Sequence, residues 1–600
     1  MTRDWRERFE AAYPNTTDFL GGDADAFDFS IGAINLVGGQ SIRLQQSGVT
    51  AIVGANNVGK STILRELIER LDHRPGFAEL PKIAVQSLEL NRRGDTKDLI
   101  AWLGSNASLV SKGSSMGFQR SQTGIETPQS LAKGWRPTSE GLGPLRPFLA
   151  FYGDAQGRFS IGGAAEMRES AGDPPLHPVH HLQDSRVLME EVSAVSQQIF
   201  GPKLTLDNLG KTIRLRVGEV AMEAPRIDNI PPEYRQAMAA LRPLDEQGDG
   251  MRSLMGQLLP VVSAAYRVIV IDEPEAFLHP PQAHALGVEL GRIAVQSDIQ
   301  ILVATHDRSL LTGLLDSGVD VSVVRLARGD GAAKASRLDS AELRALWSDP
   351  VLKYTNVLDG LFHRLVVVAE AEGDCAFLAA ALDCEGREES PLPRNEILFV
   401  PTGGKDGMAK VCAALNAVDV PVVAAPDLDM LSDRSKLRAL VEAVGGAWTD
   451  DMERDWTVAT ASMRSAREPA RVGHVLDAVT SALEDNRDEP YSSAYREIVL
   501  AQLRTSGSPW GSVKEHGMSA FRGDARRAAA DLLRQLDAIG VVLVEQGELE
   551  RLAPEVAVRK GPGWLHAALS ERAQCNATTQ AHVDRVIAAG KRGLVPQRDG

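Results

Sequence analysis

Residues 54–61, Gly-Ala-Asn-Asn-Val-Gly-Lys-Ser, are the segment of this 600-residue chain whose types and spacing most directly imply chemistry. They complete the pattern G-x-x-x-x-G-K-[ST]. In such a loop glycines let backbone N–H groups curl round a β-phosphate, a lysine reaches the β/γ oxygens, and a hydroxyl ligates Mg²⁺ at a helix N-terminus. Gly54, Asn56, Asn57 and Gly59 supply the loop, Lys60 the cation, and Ser61 and Thr62 the first helical hydroxyls. The apolar run Val-Thr-Ala-Ile-Val before the loop is the strand it must follow, and Thr-Ile-Leu-Arg-Glu-Leu-Ile-Glu after it favours a helix. A chance glycine-rich turn would lack both flanks, so ATP with Mg²⁺ is the expected ligand.

Two later strands end where such a loop needs partners. Arg-Val-Ile-Val-Ile-Asp272-Glu273 is a buried apolar strand ending in two carboxylates, Asp272 suited to hold Mg²⁺ through water and Glu273 to polarise the attacking water. The next strand, Gln-Ile-Leu-Val-Ala-Thr, ends at His306, placed to sense a γ-phosphate. Gln86, in a strand-like stretch over 78–100, is a candidate contact to the nucleotide's metal. Between them Gly248-Asp-Gly250-Met-Arg-Ser253 precedes an apolar helical run. A glycine turn opening a helix makes an anion site. This one resembles the signature loop of ABC-type ATPases, which caps the nucleotide held by the opposite subunit; the resemblance implies a homodimer, with Gly250 and Ser253 on the partner's nucleotide.

Bulk properties bound the rest. The length suggests roughly three to five structural units with ample core. A net charge of −15 excludes a uniformly basic nucleic-acid binder but leaves a local groove open. Cys375, Cys384, Cys412 and Cys575 form no C-x-x-C pair and have no zinc-like spacing, so free, buried thiols in a reducing compartment are expected. The N-terminus lacks the apolar stretch of a signal peptide and no run approaches bilayer-spanning length; a cytoplasmic protein without a membrane partner is expected.

Along the chain, residues 1–347 read as an α/β ATPase domain. Within it a stretch rich in Ser, Gly, Thr and Pro, beginning near 104 and extending to about 175, reads as an irregular surface insertion. His177, His180 and His181 lie among prolines without an acidic or thiol ligand and read as surface-loop residues. No sustained heptads separate the phosphate loop from Asp272, which excludes a long coiled-coil arm. Residues 348–362 read as a linker, and 363–600 as a second α/β unit with a helical insertion over about 435–540.

In that second unit the apolar strand Leu-Val-Val-Val-Ala stops at Glu370, with Asp374 at the start of a helical run. Val-Pro-Val-Val-Ala-Ala-Pro brings Asp427 and Asp429, which alternation along a strand would aim the same way. Acids delivered by successive parallel strands gather at the sheet's C-terminal edge, where Mg²⁺ or Mn²⁺ is the natural counter-charge; taken singly each is an ordinary strand-end acid.

With Gly-x-Asn-Asn-x-Gly-Lys-Ser and Asp-Glu-Pro-Glu-x-x-Leu-His-Pro (272–280) in front of it, this acid pattern resembles the overcoming-lysogenization-defect (OLD) family of ATP-dependent endonucleases, and its second unit resembles the Toprim fold. Glu370 and Asp374 take the family's first acidic positions, with Ala371 where a glycine is usual; Asp427 and Asp429 match the second motif. The resemblance further implies a carboxylate from Glu548 or Glu550, and a charge-stabilising lysine matched by Lys560 beside Arg559. Lys514 is a candidate DNA contact or simply a solvated base. The implied activity is metal-dependent DNA cleavage under ATP control, in phage defence or genome maintenance, with room for a separately encoded partner or a higher homo-oligomer. The rival is a Rad50-like DNA-binding ATPase whose Toprim unit only docks. Topoisomerase chemistry would need a tyrosine nucleophile, and none stands out.

Overall fold

The computed structural model describes residues 5–594 apart from short stretches, the longest being 75–81, 345–355, 386–391 and 465–471. It divides into two compact units, Met1–Pro350 and Val351–Gly600. Of the expected linker, 348–355 lies outside the described residues and Asn356–Phe362 forms a short 3-10 helix.

In the first unit β1 (Asp28–Leu36), β2 (Ser41–Arg43), β3 (Gly48–Val53) and β4 (Val85–Arg93) are followed by the hairpin β5 (Ser108–Lys112) and β6 (Ser115–Gln119), and then by β7 (Ala150–Gly153). β8 (Ala165–Glu166), β9 (Leu204–Asp207), β10 (Thr212–Val217) and β11 (Arg242–Pro243) make a small antiparallel sheet. β12 (Val268–Asp272), β13 (Gln300–Ala304), β14 (Val321–Arg328) and β15 (Ala333–Leu338) complete the unit. The central sheet runs β15-β14-β3-β13-β12-β7, parallel except for the edge strand β15, while β2-β1-β4 forms a separate antiparallel sheet. Every residue of β3 and β13 is buried, as a sheet covered on both faces requires.

The stretch over 104–175 is not an irregular insertion. Phe118, Leu131, Trp135, Leu142, Leu145 and Phe148 belong to the main core, and β7 adds a parallel strand to the central sheet. Its elements are short, and the Gly, Ser and Pro between them masked widely spaced apolar anchors. The histidines are not on a surface loop either: His177 caps the helix Pro178–Asp184, accepting from Val179 N at 3.2 Å, and His180 is buried with Nε2 2.8 Å from Glu166 O.

The second unit is built on β16 (Leu365–Ala369), β17 (Ile397–Pro401) and β18 (Val422–Ala425), parallel, in the order β17-β16-β18. Residues 541–544 continue the sheet beside β18: Ala424 N donates to Gly540 O, Val542 N to Ala424 O, and Asp427 bridges Val544 in parallel register. The helical insertion comprises Arg434–Ala443, Asp450–Arg464, Val472–Leu483, Ser493–Thr505, Trp510–His516 and Gly523–Ile539.

Not all four cysteines are free. Cys384 and Cys575, 191 residues apart, form a disulfide with Cα atoms 5.6 Å apart, whereas Cys375 and Cys412 are free and buried. Sequence spacing reveals neighbouring pairs but not partners that the fold brings together across such a distance.

Candidate functional site

In the first unit the loop between β3 and the helix Lys60–Asp72 has the backbone its residue types predict. Gly59 at the helix N-cap has φ 100°, Asn57 φ 62°, and Gly54 φ 148°; a Cβ on Gly54 would stand 2.4 Å from Leu326 O. Lys60 folds into the loop and donates from Nζ to Gly54 O (2.9 Å) and Ala55 O (3.0 Å). Burial lowers its pKa, opposed by the charges of Glu273, Glu275 and Asp272. Ser61 Oγ donates to Asp272 Oδ1 at 3.1 Å, so the hydroxyl and carboxylate expected to share Mg²⁺ already touch. Burial raises the Asp272 pKa, with the Ser61 hydrogen bond opposing.

Glu273 follows in a left-handed conformation, φ 48°, its N–H donating to Ala304 O at the end of β13. His306 Nδ1 lies 3.7 Å from Glu273 Oε1 and 3.4 Å from Glu275 Oε1. Glu275, which no spacing in the sequence marks, lies beside them. It is almost wholly buried, and its Oε1 accepts from Thr305 Oγ1 (2.8 Å) and His306 N (3.1 Å), which fixes the backbone on which His306 stands. Burial raises its pKa against those hydrogen bonds.

Two head assignments need correction. Gln86 lies with Arg70, His73 and Lys82 around a cavity of about 300 Å³. Arg70 is ten helical residues, about 15 Å, from Lys60, so Gln86 sits at the wrong end of the helix to meet a nucleotide's metal. The strand that does end beside Asp272 is β7, whose Gly153 pairs with Ile271. Ser253 is fully buried in the second turn of the helix Asp249–Ser263, where its Oγ donates to Ala276 O, and it cannot cap a nucleotide on another subunit. The exposed residues at that helix start are Gly248 and Asp249; Gly250 is half-buried, with no room for a Cβ because Phe277 O would lie 2.7 Å away.

In the second unit Glu370, Asp427 and Asp429 each place a carboxylate oxygen within 4.8 Å of the others. Strand alternation is not what aims the two aspartates, because β18 ends at Ala425 and Asp427 caps a 3-10 turn, Leu428–Ser432. Asp427 N donates to Glu370 Oε1 (3.2 Å) and Asp427 Oδ1 accepts from Leu549 N (3.0 Å), tying together the ends of three neighbouring strands. Asp374 is outside the cluster: at the third position of the helix Glu372–Leu382 it accepts from Ala371 N at 3.0 Å, a capping role.

Two lysines meet the cluster. Lys405, at the start of the helix after β17, holds Asp429 Oδ1, and Lys514 Nζ lies 2.9 Å from Asp429 Oδ2 and 3.5 Å from Glu548 Oε1. Burial pushes the Asp429 carboxyl up, but the two lysines outweigh it and hold it below its ordinary value. Nothing in the sequence marked Lys405 except the Gly-Gly turn before it, whose φ of 70° and 126° lets the chain double back to the sheet edge. Lys514, Glu548, Glu550 and Arg551 line an adjoining cleft of about 690 Å³. Lys560 and Arg559 fall outside the described residues. Three clustered carboxylates offer only hard oxygen donors, the chemistry that Mg²⁺ and Mn²⁺ select, and the lysines on Asp429 show how strongly the site calls for positive charge.

Residues 234–312 match the family described as AAA domain, putative AbiEii toxin, type IV TA system. The first unit carries a P-loop ATPase domain. Among solved structures the chain is similar to an Smc head bound to the C-winged helix domain of ScpA, at 11% identity and TM-score 0.32, over 52% of this chain and 99% of that one. An SMC head domain from Thermotoga maritima is similar at 14% identity and TM-score 0.27, over 52% and 99%. An ATP-binding cassette of an ABC transporter in its ADP conformation is similar at 15% identity and TM-score 0.24, over 55% and 97%. No curated protein matches the chain. Among the described residues no helix is long and apolar enough to cross a membrane.

Proposed function

We propose that this chain is an ATP-binding and ATP-hydrolysing, metal-dependent DNA endonuclease of the OLD type, in which the first unit works the nucleotide and a Toprim-like second unit cuts the phosphodiester. The observation that carries the reading is the convergence of Glu370, Asp427 and Asp429 at one sheet edge, within reach of a shared cation. Glu548 stands across Lys514 from Asp429, and Glu550 lines the same cleft.

These acids would hold Mg²⁺ or Mn²⁺, which supplies a water of lowered pKa and neutralises charge on the phosphate. Hydrolysis joins the water oxygen to phosphorus and releases the 3′-oxygen, which takes up a proton. Lys405 and Lys514, which hold Asp429, would offer positive charge to the scissile phosphate, a role that the family resemblance assigns to Lys560. In the head, Lys60 and the loop N–H groups hold the triphosphate, Ser61 and Asp272 its Mg²⁺, and Glu273 and His306 the attacking water and γ-phosphate. Two heads closing on ATP through Gly248 and the start of the helix Asp249–Ser263 would form the homodimer and set the state of the nuclease. A role in phage defence or genome maintenance belongs to this reading, and the family matched over 234–312 is itself described as a putative AbiEii toxin of a type IV TA system.

One experiment tests this directly. Supercoiled plasmid incubated with the protein should be nicked when Mg²⁺ or Mn²⁺ is present and remain intact in EDTA, with ATP changing the rate. A second reading, a Rad50-like ATPase whose second unit only docks on DNA or protein, is favoured by Asp374 serving as a helix cap and by two lysines already neutralising Asp429. Plasmid left intact with either metal, with ATP hydrolysis retained, would select it.

A further inference from the structure

Among the described residues Arg158 is the largest fully buried side chain, and no part of the ATPase chemistry described so far uses it. It opens the short helix Arg158–Ile161 just after β7. Its Nε donates to Asp154 O (2.9 Å), its Nη2 to Asp272 O and to Glu273 O (3.0 Å), and its Nη1 to Glu273 O (3.1 Å) and Ser253 Oγ (3.3 Å). One rigid planar fork thus ties together the loop after β7, the end of β12 and the helix Asp249–Ser263.

The location is costly. A buried guanidinium loses hydration, and burial lowers its pKa despite the nearby carboxylates of Glu275, Asp154, Asp272 and Glu273. What it meets at Glu273 is equally unusual: a non-glycine residue at φ 48°, held from one side by Ala304 O on its N–H and from the other by two Arg158 N–H groups on its carbonyl. Direct contact with the triphosphate is not Arg158's task, because all its donors face backbone carbonyls and a serine. The packing that places it is close: a Cβ on Gly256 would stand 1.8 Å from Arg158 O.

We infer that Arg158 is a positioning residue that locks the left-handed turn at Glu273, aims its carboxylate, and links that aim through Ser253 to the helix Asp249–Ser263. The inference rests on the reading of Glu273 as the residue that polarises water. If that helix meets a second copy, its movement reaches the Glu273 carbonyl through Arg158, beside the helix's own bonds from Ser253 to Ala276 O and from Gln257 to Pro274 O, so hydrolysis is coupled to closure without any ligand contact by Arg158.

The test is steady-state ATP hydrolysis and fluorescent-ATP binding by the full chain carrying Arg158→Lys, which keeps the charge and loses the fork. The expected result is a kcat lower by about tenfold or more, since several charged hydrogen bonds are lost, with KM and nucleotide Kd within about twofold. Added guanidinium ion should restore part of the rate to Arg158→Ala. If Arg158→Lys does not fold, Ser253→Ala, which removes the Arg158 link to the helix together with the hydroxyl's bond to Ala276 O, should lower kcat about threefold at unchanged KM. Parental kcat in whichever of these folds would overturn the inference, as would a loss confined to KM. Glu273→Gln separates the two levels: should it turn over ATP at the parental rate, the reading of Glu273 fails, whereas a slow Glu273→Gln beside a parental Arg158→Lys defeats the role of Arg158 alone.

Discussion

The two acid sites solve one problem by different means. In the head, Asp272, Glu273 and Glu275 lie within four consecutive residues at the end of one strand, and the cation that meets their charge, Lys60, opens the helix after the phosphate loop. In the second unit the acids are dispersed: Glu370 follows β16, Asp427 and Asp429 follow β18, and Glu548 follows the strand-like segment 541–544. Their charge is met by lysines from two further elements. The head site is a contiguous motif that survives as a word in the sequence. The second is a meeting of strand ends, so it depends on the whole sheet keeping its register. The difference extends to the frame, since all four cysteines lie in the second unit and its disulfide closes a segment 191 residues long.

That contrast predicts separable failures. Lys60→Ala should have the largest effect, weakening ATP binding about a hundredfold or more by removing the charge at the β/γ oxygens; a fluorescent-nucleotide titration reads it, and parental affinity would remove Lys60 from the site. Asp427→Ala should abolish plasmid nicking while leaving ATP affinity unchanged, and an unaltered nicking rate would take Asp427 out of the cutting centre. Glu273→Gln should still bind ATP but hydrolyse it about a hundredfold more slowly, the usual loss for a general base, and accumulate as closed dimer on size-exclusion chromatography. Cys384→Ser should destabilise the second unit by about 2–5 kcal/mol and leave the melting of the head in place, a split visible by calorimetry. A single shifted transition for the whole chain would erase the proposed independence of the two frames.

What was legible in the sequence follows the same division. The P-loop and the ends of β12 and β13 could be placed because their function lies in adjacent residues. Gln86 was misplaced because a glutamine near a strand end carries no sign of which end of the helix it faces, and Ser253 because a helix start one turn earlier turns its side chain inward. Arg158 and Glu275 act by burial and hydrogen bonding to backbone, which no spacing pattern encodes. In the second unit Glu370, Asp427 and Asp429 were readable because each ends an apolar run. Lys405 was not, because its role comes from a glycine turn that carries it across to Asp429.

The central claim is that Glu370, Asp427 and Asp429 share a divalent cation, and Mn²⁺ binding followed by electron paramagnetic resonance tests it most directly. In the Lys60→Ala protein without nucleotide, the account predicts a saturable bound Mn²⁺ that disappears in Asp427→Asn/Asp429→Asn. Equal Mn²⁺ binding by both proteins, or by neither, would contradict it.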